Sequence, residues 1–305
     1  MKQKKIVFSF IVLLFAALSG FLFTSRAQKA NTGLSVHPSN IDLTTNPGQT
    51  TTQDIYLDNL TDQSITIGVD KKNFTAQGEE GSVSLTDDTT TYSLASWITI
   101  TPAKTIIEPH KSQKFTYTIT VPANAEPGGH FGSLVFKTIP NANLNGSGAV
   151  LSQQVGSLIL LKIPGNIAEN ATVQSFSTDK QFYEFGPAQF DLRVKNNSDV
   201  HIQPIGTIVV TGLLGQRFEV QIDPRNILPH AIRKISATLE KKLLFGPYTA
   251  TLIVSYGDKN QSLYGSTTFY AFPVRYGLIA FGVLIILFFL RKRLWKAAKA
   301  IATGK

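Results

Sequence analysis

Phe115-Thr116-Tyr117-Thr118-Ile119-Thr120-Val121 sets a large apolar side chain at every second position and a threonine at each place between. Side chains of an extended chain point alternately to opposite faces, so a period of two marks a half-buried β-strand. Tyr248, Ala250, Leu252, Val254 and Tyr256 repeat the pattern, alternating with Thr249, Thr251 and Ser255. No stripe of period 3.6 runs between Asn31 and Phe269. With turn residues recurring roughly every ten positions, the chain reads as all-β and its strands as those of Ig-like sandwiches.

Outward from these two strands the chain repeats itself. Gly48-Gln49 precedes Asp54-Ile55-Tyr56-Leu57-Asp58-Asn59, and Gly186-Pro187 precedes Asp191-Leu192-Arg193-Val194-Lys195-Asn196-Asn197, with Asp62 and Asp199 just beyond. Glu108-Pro109-His110 leads into the Phe115 strand, and Leu228-Pro229-His230 leads into Ile235 to Leu239. Pro127-Gly128-Gly129 and Phe245-Gly246-Pro247 each open another strand. Two sandwiches in tandem account for this order, with Pro164-Gly165 as the boundary. The expected segments are 1–27, a signal peptide or uncleaved anchor; 28–164 and 165–271, the two sandwiches; 272–290, a transmembrane helix; and 291–305, a basic cytoplasmic tail.

The membrane segments rest on hydropathy and flanking charge. Gly277 to Leu290 is an uncharged run of 14 residues, extended upstream to Phe272, with Tyr270, Phe272 and Tyr276 as an aromatic belt and Arg275 placed to snorkel. A spanning helix needs about 20 residues. Arg291, Lys292 and Arg293 then hold the tail in the cytoplasm and the sandwiches outside. At the other end Lys2, Lys4 and Lys5 precede the apolar run Ile6 to Phe23 and the small-residue site ending at Ala27.

The net charge of +9 belongs to these flanks: 11 of the 29 basic residues lie there, leaving 18 against all 20 acidic residues between Ala27 and Val274. A nucleic-acid partner is thereby excluded. The absence of cysteine means no disulfide and no thiol-bound metal. The histidines, His37, His110, His130, His201 and His230, are scattered singly, without metal-ligand spacing. No nucleophile elbow, phosphate loop or dinucleotide fingerprint is present. Acidic residues at Asp58, Asp62 and Asp87-Asp88 lack the density of a calcium loop. No catalytic residue, metal or cofactor is therefore expected. Asn59-Leu60-Thr61 and Asn170-Ala171-Thr172 have the form of glycosylation triplets.

In the second sandwich the expected strands are 171–178, 188–195, 202–211, 217–222, 230–240, 246–256 and 261–270. Strands that alternate in direction sort the loops to two ends, and the last strand feeds the membrane span. The membrane-facing loops then carry Phe182, Tyr183 and Phe185; Leu213 and Leu214; and Leu243, Leu244 and Phe245. Two readings stand: these tips enter the headgroup region, or they plug the base of the sandwich. The opposite end, with Asn196 to Asp199, Asp223 to Asn226 and Gly257 to Asn260, is polar and expected to be wet. In the first sandwich, Pro140 to Gly148 reads as a polar hairpin tip and Trp97 as a core residue.

The architecture resembles the WxL-interacting protein family of bacterial cell surfaces. The local matches are Pro109-His110 before a strand, Pro122 with Pro127-Gly128-Gly129 entering Phe131 to Phe136, and the strand-turn Asp54 to Asp62. The resemblance implies a first domain that binds peptidoglycan, in the manner of an adhesion protein, and a second that engages a surface protein. It assigns no binding residues. The expected function is a membrane-anchored, non-enzymatic binding protein; the alternative is a structural or chaperone-like assembly factor that pairs strands with its client.

Overall fold

The computed structural model describes residues 33–140, 152–213 and 215–303. The segment 1–27, nearly all of the expected hairpin tip at Pro140 to Gly148, and Leu214 lie outside the described residues.

The first sandwich contains, in chain order, β1 (Leu34–His37), β2 (Asn40–Thr44), β3 (Thr50–Asn59), β4 (Ile65–Gln77), β5 (Ser82–Thr86), β6 (Ile98–Thr101), β7 (Lys104–Ile107), β8 (Ser112–Thr120), β9 (Gly128–Ile139) and β10 (Gln154–Ile163). One sheet has the order β1-β3-β8-β6; the other has β2-β10-β9-β4-β5, with β7 also paired to β4. Phe115, Tyr117 and Ile119 of β8 are fully buried between the sheets, opposite Leu134 and Phe136 of β9 and Ile159 and Leu161 of β10. Each such side chain withdrawn from water contributes about 1.5–3 kcal/mol, which lets a chain without disulfides hold this fold. Strand β9 departs from alternation, being buried from Gly128 through Phe136. Its outer face carries Phe131, which packs on Phe74, on Tyr92 and on His201 of the second sandwich, so both faces of the strand are covered.

The second sandwich contains β11 (Ala171–Thr178), β12 (Phe182–Tyr183), β13 (Ala188–Asn196), β14 (Ile205–Gly212), β15 (Arg217–Gln221), β16 (Ile232–Leu239), β17 (Gly246–Tyr256) and β18 (Gln261–Ala271). Its sheets are β11-β13-β16 and β12-β18-β17-β14-β15. Tyr248, Ala250, Leu252, Val254 and Tyr256 of β17 point into a core shared with Phe190, Leu192, Val194 and Phe269. The stretch expected as a plain loop, 179–187, holds the short strand β12, which pairs in parallel with Phe182 opposite Tyr270 and Tyr183 opposite Ala271.

Both sandwiches begin alike. In each, the first strand pairs antiparallel with the third strand of its domain (β1 with β3, β11 with β13), and the second crosses to the other sheet to run parallel to the last strand. The repeated turns coincide as well. Asn59 and Asn196 end equivalent strands and are fully buried. The Asn59 side-chain amide donates to the carbonyls of Gln63 (2.7 Å), Glu108 (3.0 Å) and Ile107 (3.1 Å), and its oxygen accepts from the Thr61 backbone N–H (3.0 Å). The Asn196 amide donates to the carbonyls of Val200 (2.8 Å) and Ile227 (2.9 Å), and its oxygen accepts from the Ser198 N–H (2.9 Å). A buried Asn so engaged is an internal strut of the turn. The triplet at Asn59 therefore offers no accessible acceptor for a glycan.

Beyond β18, helix α1 (Val274–Thr303) contains the 19-residue stretch Val274–Lys292, long and apolar enough to cross a membrane and unburied by the rest of the chain. At 1.5 Å per residue it measures about 28 Å, close to a hydrocarbon core. Glu184 joins it to the sandwich base, accepting from the Arg275 backbone N–H (3.0 Å) and pairing with the Arg275 side chain (3.1 Å). A carboxylate there complements the positive end of the helix dipole. The Arg291 and Lys292 side chains are exposed at the far end of the stretch; Arg293 is helical, with its side chain outside the described part.

Candidate binding site

The loop ends sort as the strand directions require. The base near α1 holds 179–187, 213, 215–216 and 240–245, and the opposite end holds 197–204, 222–231 and 257–260. That opposite end is only partly left in water: Asp199, Asp223 to Arg225 and Asp258 to Asn260 are exposed, while His201 is buried where the first sandwich meets it. The expectation of a wet end does not hold where the two sandwiches meet, because a sequence shows where polar groups gather but not which other polar groups complete them.

The joint is a series of charged contacts around the Phe131 cluster. Tyr92 donates to Asp199 (2.8 Å), His230 lies 3.1 Å from the same carboxylate oxygen and 3.2 Å from the tyrosine hydroxyl, and the Asp199 carbonyl accepts from the Gly129 N–H (2.8 Å). These bonds, the tyrosine's foremost, hold Asp199 below its usual pKa; burial and then the Asp199 bond push Tyr92 up to about 12. Asp42 pairs with His201 (3.1 Å) and accepts from Asn226 (3.2 Å), and these contacts outweigh its burial and lower its pKa. Lys162, only 15% exposed, bonds Asp258 (2.7 Å) and Glu169 (2.9 Å). Its burial works against the charge, and the two carboxylates overcome it and raise the pKa. Arg193 grips Glu79 through two nitrogens, and the Glu79 carbonyl accepts from the Lys234 N–H (2.8 Å).

Two unpaired sheet edges border open space. Among the described residues strand β15 pairs only with β14, and β16 only with β13, although the Lys234 N–H at the start of β16 is taken by the Glu79 carbonyl. Between them run two grooves of about 540 and 560 Å³, one along Arg217–Gln221 and Thr238–Lys241, the other along Gln221–Pro224 and Ser236–Thr238. The upper groove reaches Pro224, which also lines a smaller pocket in the joint, near the start of β16.

At the base, the apolar side chains divide. Phe182, Leu213, Leu243 and Phe245 are exposed, at 67%, 77%, 83% and 59%. Tyr183 and Leu244 are instead turned into the core, at 5% and 3%. Phe185 packs edge-on against Tyr276 of α1, and Phe245 against Phe272. Tyr183 and Leu244 therefore plug the base of the sandwich, while Phe182, Leu213, Leu243 and Phe245 lie outside its core: alternation along β12 and the 240–245 turn sends one neighbour in and the next out.

Of the histidines, His37 pairs with Asp58 (3.2 Å), His110 with Asp62 (2.8 Å), and His201 and His230 with the joint aspartates; His130 packs on Trp97, itself part of the first core. Asp87 is bound to Lys72 (2.6 Å). Among the described residues no cluster of three or more His, Cys, Asp or Glu converges on a point.

No protein-family model and no curated protein matches the chain. Solved structures similar to it include the class 5 fimbrial chaperone CfaA, 14% identical with a TM-score of 0.42, covering 77% of this chain and 99% of that one. The Escherichia coli chaperone DraB is 11% identical with a TM-score of 0.39, covering 78% and 95%. The Pseudomonas aeruginosa chaperone CupB2 is 8% identical with a TM-score of 0.36, covering 77% and 100%. Similarity at this level carries no functional conclusion.

Proposed function

We propose that this chain is a membrane-anchored, non-enzymatic assembly factor that holds another surface protein by adding a strand of it to the open edge of the second sandwich. The observation that carries this reading is the seam between β15 and β16, where two unpaired edges face open grooves. An unpaired edge presents a row of free backbone donors and acceptors, and an added strand satisfies them while its alternate side chains enter the groove. In this reading α1 anchors the protein, the sandwiches stand outside, Arg291 and Lys292 mark the cytoplasmic end, and the exposed Phe182, Leu213, Leu243 and Phe245 touch the headgroups. Cell-wall binding by the first domain has no supporting feature among the described residues.

The test is hydrogen exchange on the full chain in lipid nanodiscs, with and without a peptide of about ten residues alternating valine and threonine. Slowed exchange confined to β15 and β16, lost in Thr238→Pro at unchanged melting temperature, is the expected result. Protection elsewhere, or none, rejects the reading. For the base, a tryptophan at position 182 or 243 is expected to be quenched by brominated lipid, and an unquenched one removes the headgroup contact.

A further inference from the structure

The second sandwich turns two unlike faces outward. On β13 and β16 the outward positions include Asp191, Arg193, Lys195 and Lys234, a charged surface. The other sheet is the reverse. Across β18, β17 and β14 the register sets outward side chains in four rows of three, from Thr268, Thr249 and Thr211 near the base to Ser262, Ser255 and Ile205 near the joint, and none of them is charged. Charge returns at the rim, where Arg217 and Glu219 of β15 pair with each other (3.2 Å). Ile253 and Tyr264 are directly opposed across β17 and β18, Ile205 lies diagonally from Ile253, and all three are more than half exposed. Depletion of charge, with a tyrosine among apolar side chains, marks the core of a protein interface rather than ordinary surface.

The position of this face in the chain selects its partner. Strand β18 reaches α1 through Phe272 and Pro273, and Glu184 fixes the start of the helix to the sandwich. With the base on the bilayer the strands stand along the membrane normal, and the uncharged face is an upright wall. A second copy anchored by the same helix presents the same wall at the same height, and a two-fold axis along the normal brings the two together. That axis lays β17 against β17 and β18 against β14. Ile253 then meets Ile253 of the second copy, and Tyr264 passes over Thr207 and Ile205 of that copy. Four rows at about 6.8 Å and three strands at about 4.8 Å cover about 400 Å², roughly half of the 800 Å² that each partner gives to a stable interface. The face is too small to join free copies, but sufficient for copies that anchors hold upright in one plane, where the effective concentration is high.

We propose that the outward face of β14, β17 and β18 joins two copies of this chain side by side in the membrane. The proposal rests on α1 as the anchor, and it leaves the β15 and β16 edges open to a client strand.

The chain has no cysteine, so single introduced thiols report without background. Full-length Thr251→Cys, at the middle of β17, is reconstituted in vesicles in parallel with Gln189→Cys on the opposite sheet. Both are floated and treated with a bismaleimide as long as the spacing of about 10 Å between packed sheets. The expected result is a cross-linked dimer through position 251, at least fivefold more abundant than through position 189. Adding Ile253→Lys or Ile253→Glu to the Thr251→Cys chain should lower the yield at least fivefold, since each sets like charges face to face, and mixing the two variants should restore it. Restoration by mixing excludes misfolding as the cause of the loss. Equal yields at 251 and 189, indifference to charge at 253, or a loss that mixing does not repair overturns the proposal. Quenching of an Ile253→Trp variant by brominated lipid would assign the face to the bilayer surface and overturn it as well. A chain that does not float with the vesicles removes the anchor, and this proposal with it. A chain that floats without cross-linking removes the paired copies alone, and the exchange experiment on β15 and β16 stands.

Discussion

The turn that follows β3 and the turn that follows β13 are the same device in two settings. Each has a fully buried Asn bracing the turn, an Asp three residues on, and a left-handed His after a proline, at φ 55° for His110 and 58° for His230. At the far end of the first sandwich Asp62 and His110 pair in the open, with side chains 94% and 62% exposed. In the second sandwich the same pair receives Tyr92, and the Asp199 backbone receives Gly129, so that a surface turn has become half of a joint. Local chemistry reproduces the turn; what it does depends on what the chain stacks upon it.

The largest expected effect separates what the turns share. Asn59→Ala and Asn196→Ala each strand buried carbonyls and should each destabilise their own sandwich by about 2–4 kcal/mol. Native-state hydrogen exchange read separately on β3 and β13 checks this. A loss at only one of them would break the equivalence.

Next comes what they do not share. A double-mutant cycle of Tyr92→Phe with Asp199→Ala should give a coupling of about 1 kcal/mol, read from protection of the Gly129 amide. A coupling near zero would mean that the joint is held by the Phe131 cluster alone.

The joint should also carry its own pH limits. The folded pKa of Asp199 is lowered, so its contribution is present above the ordinary aspartate value of 3.8 and lost as pH falls through the folded value. Tyr92 is raised from 10.0 to about 12, so its contribution is whole below pH 10 and lost as pH rises toward 12. In calorimetric scans Tyr92→Phe should shrink the alkaline loss without abolishing it, because Tyr117 and Tyr183 are raised to about 12 within the two sandwiches. An unchanged alkaline limb would remove Tyr92 from the joint's energetics.

The smallest effect is Asp62→Ala, which should change stability by no more than about 0.5 kcal/mol, because an exposed pair is screened by water. A larger loss in thermal unfolding would show that the distal turn also has a load to bear.

Much of the fold was legible because it is repetitive. The alternation at Phe115 to Val121 and at Tyr248 to Tyr256 marks strands, and the strand count sorts the loops of the second sandwich to their ends. Three features were not legible. Strand β9 is buried on both faces because a second domain covers one of them. Tyr183 and Leu244 face inward while Phe182 and Leu243 face out, a matter of phase at a turn. Arg233, whose guanidinium lies against Gly81, looks in sequence like any basic residue on a strand, and Gly81 lies 152 positions away.

The sequence by itself determined the all-β class, the tandem order, the repeated Asn, Asp and His turns and the apolar stretch after the last strand, since these arise from periodicity and from residues next to one another. Only the tertiary structure decided that part of the polar end of the second sandwich is a joint, that the β15 and β16 edges stay largely open among the described residues, and that the Arg233 Nε is buried without a hydrogen bond. Each depends on which groups are left over once the sheets have paired. That remainder is set by contacts between residues far apart in the chain, which no local pattern encodes.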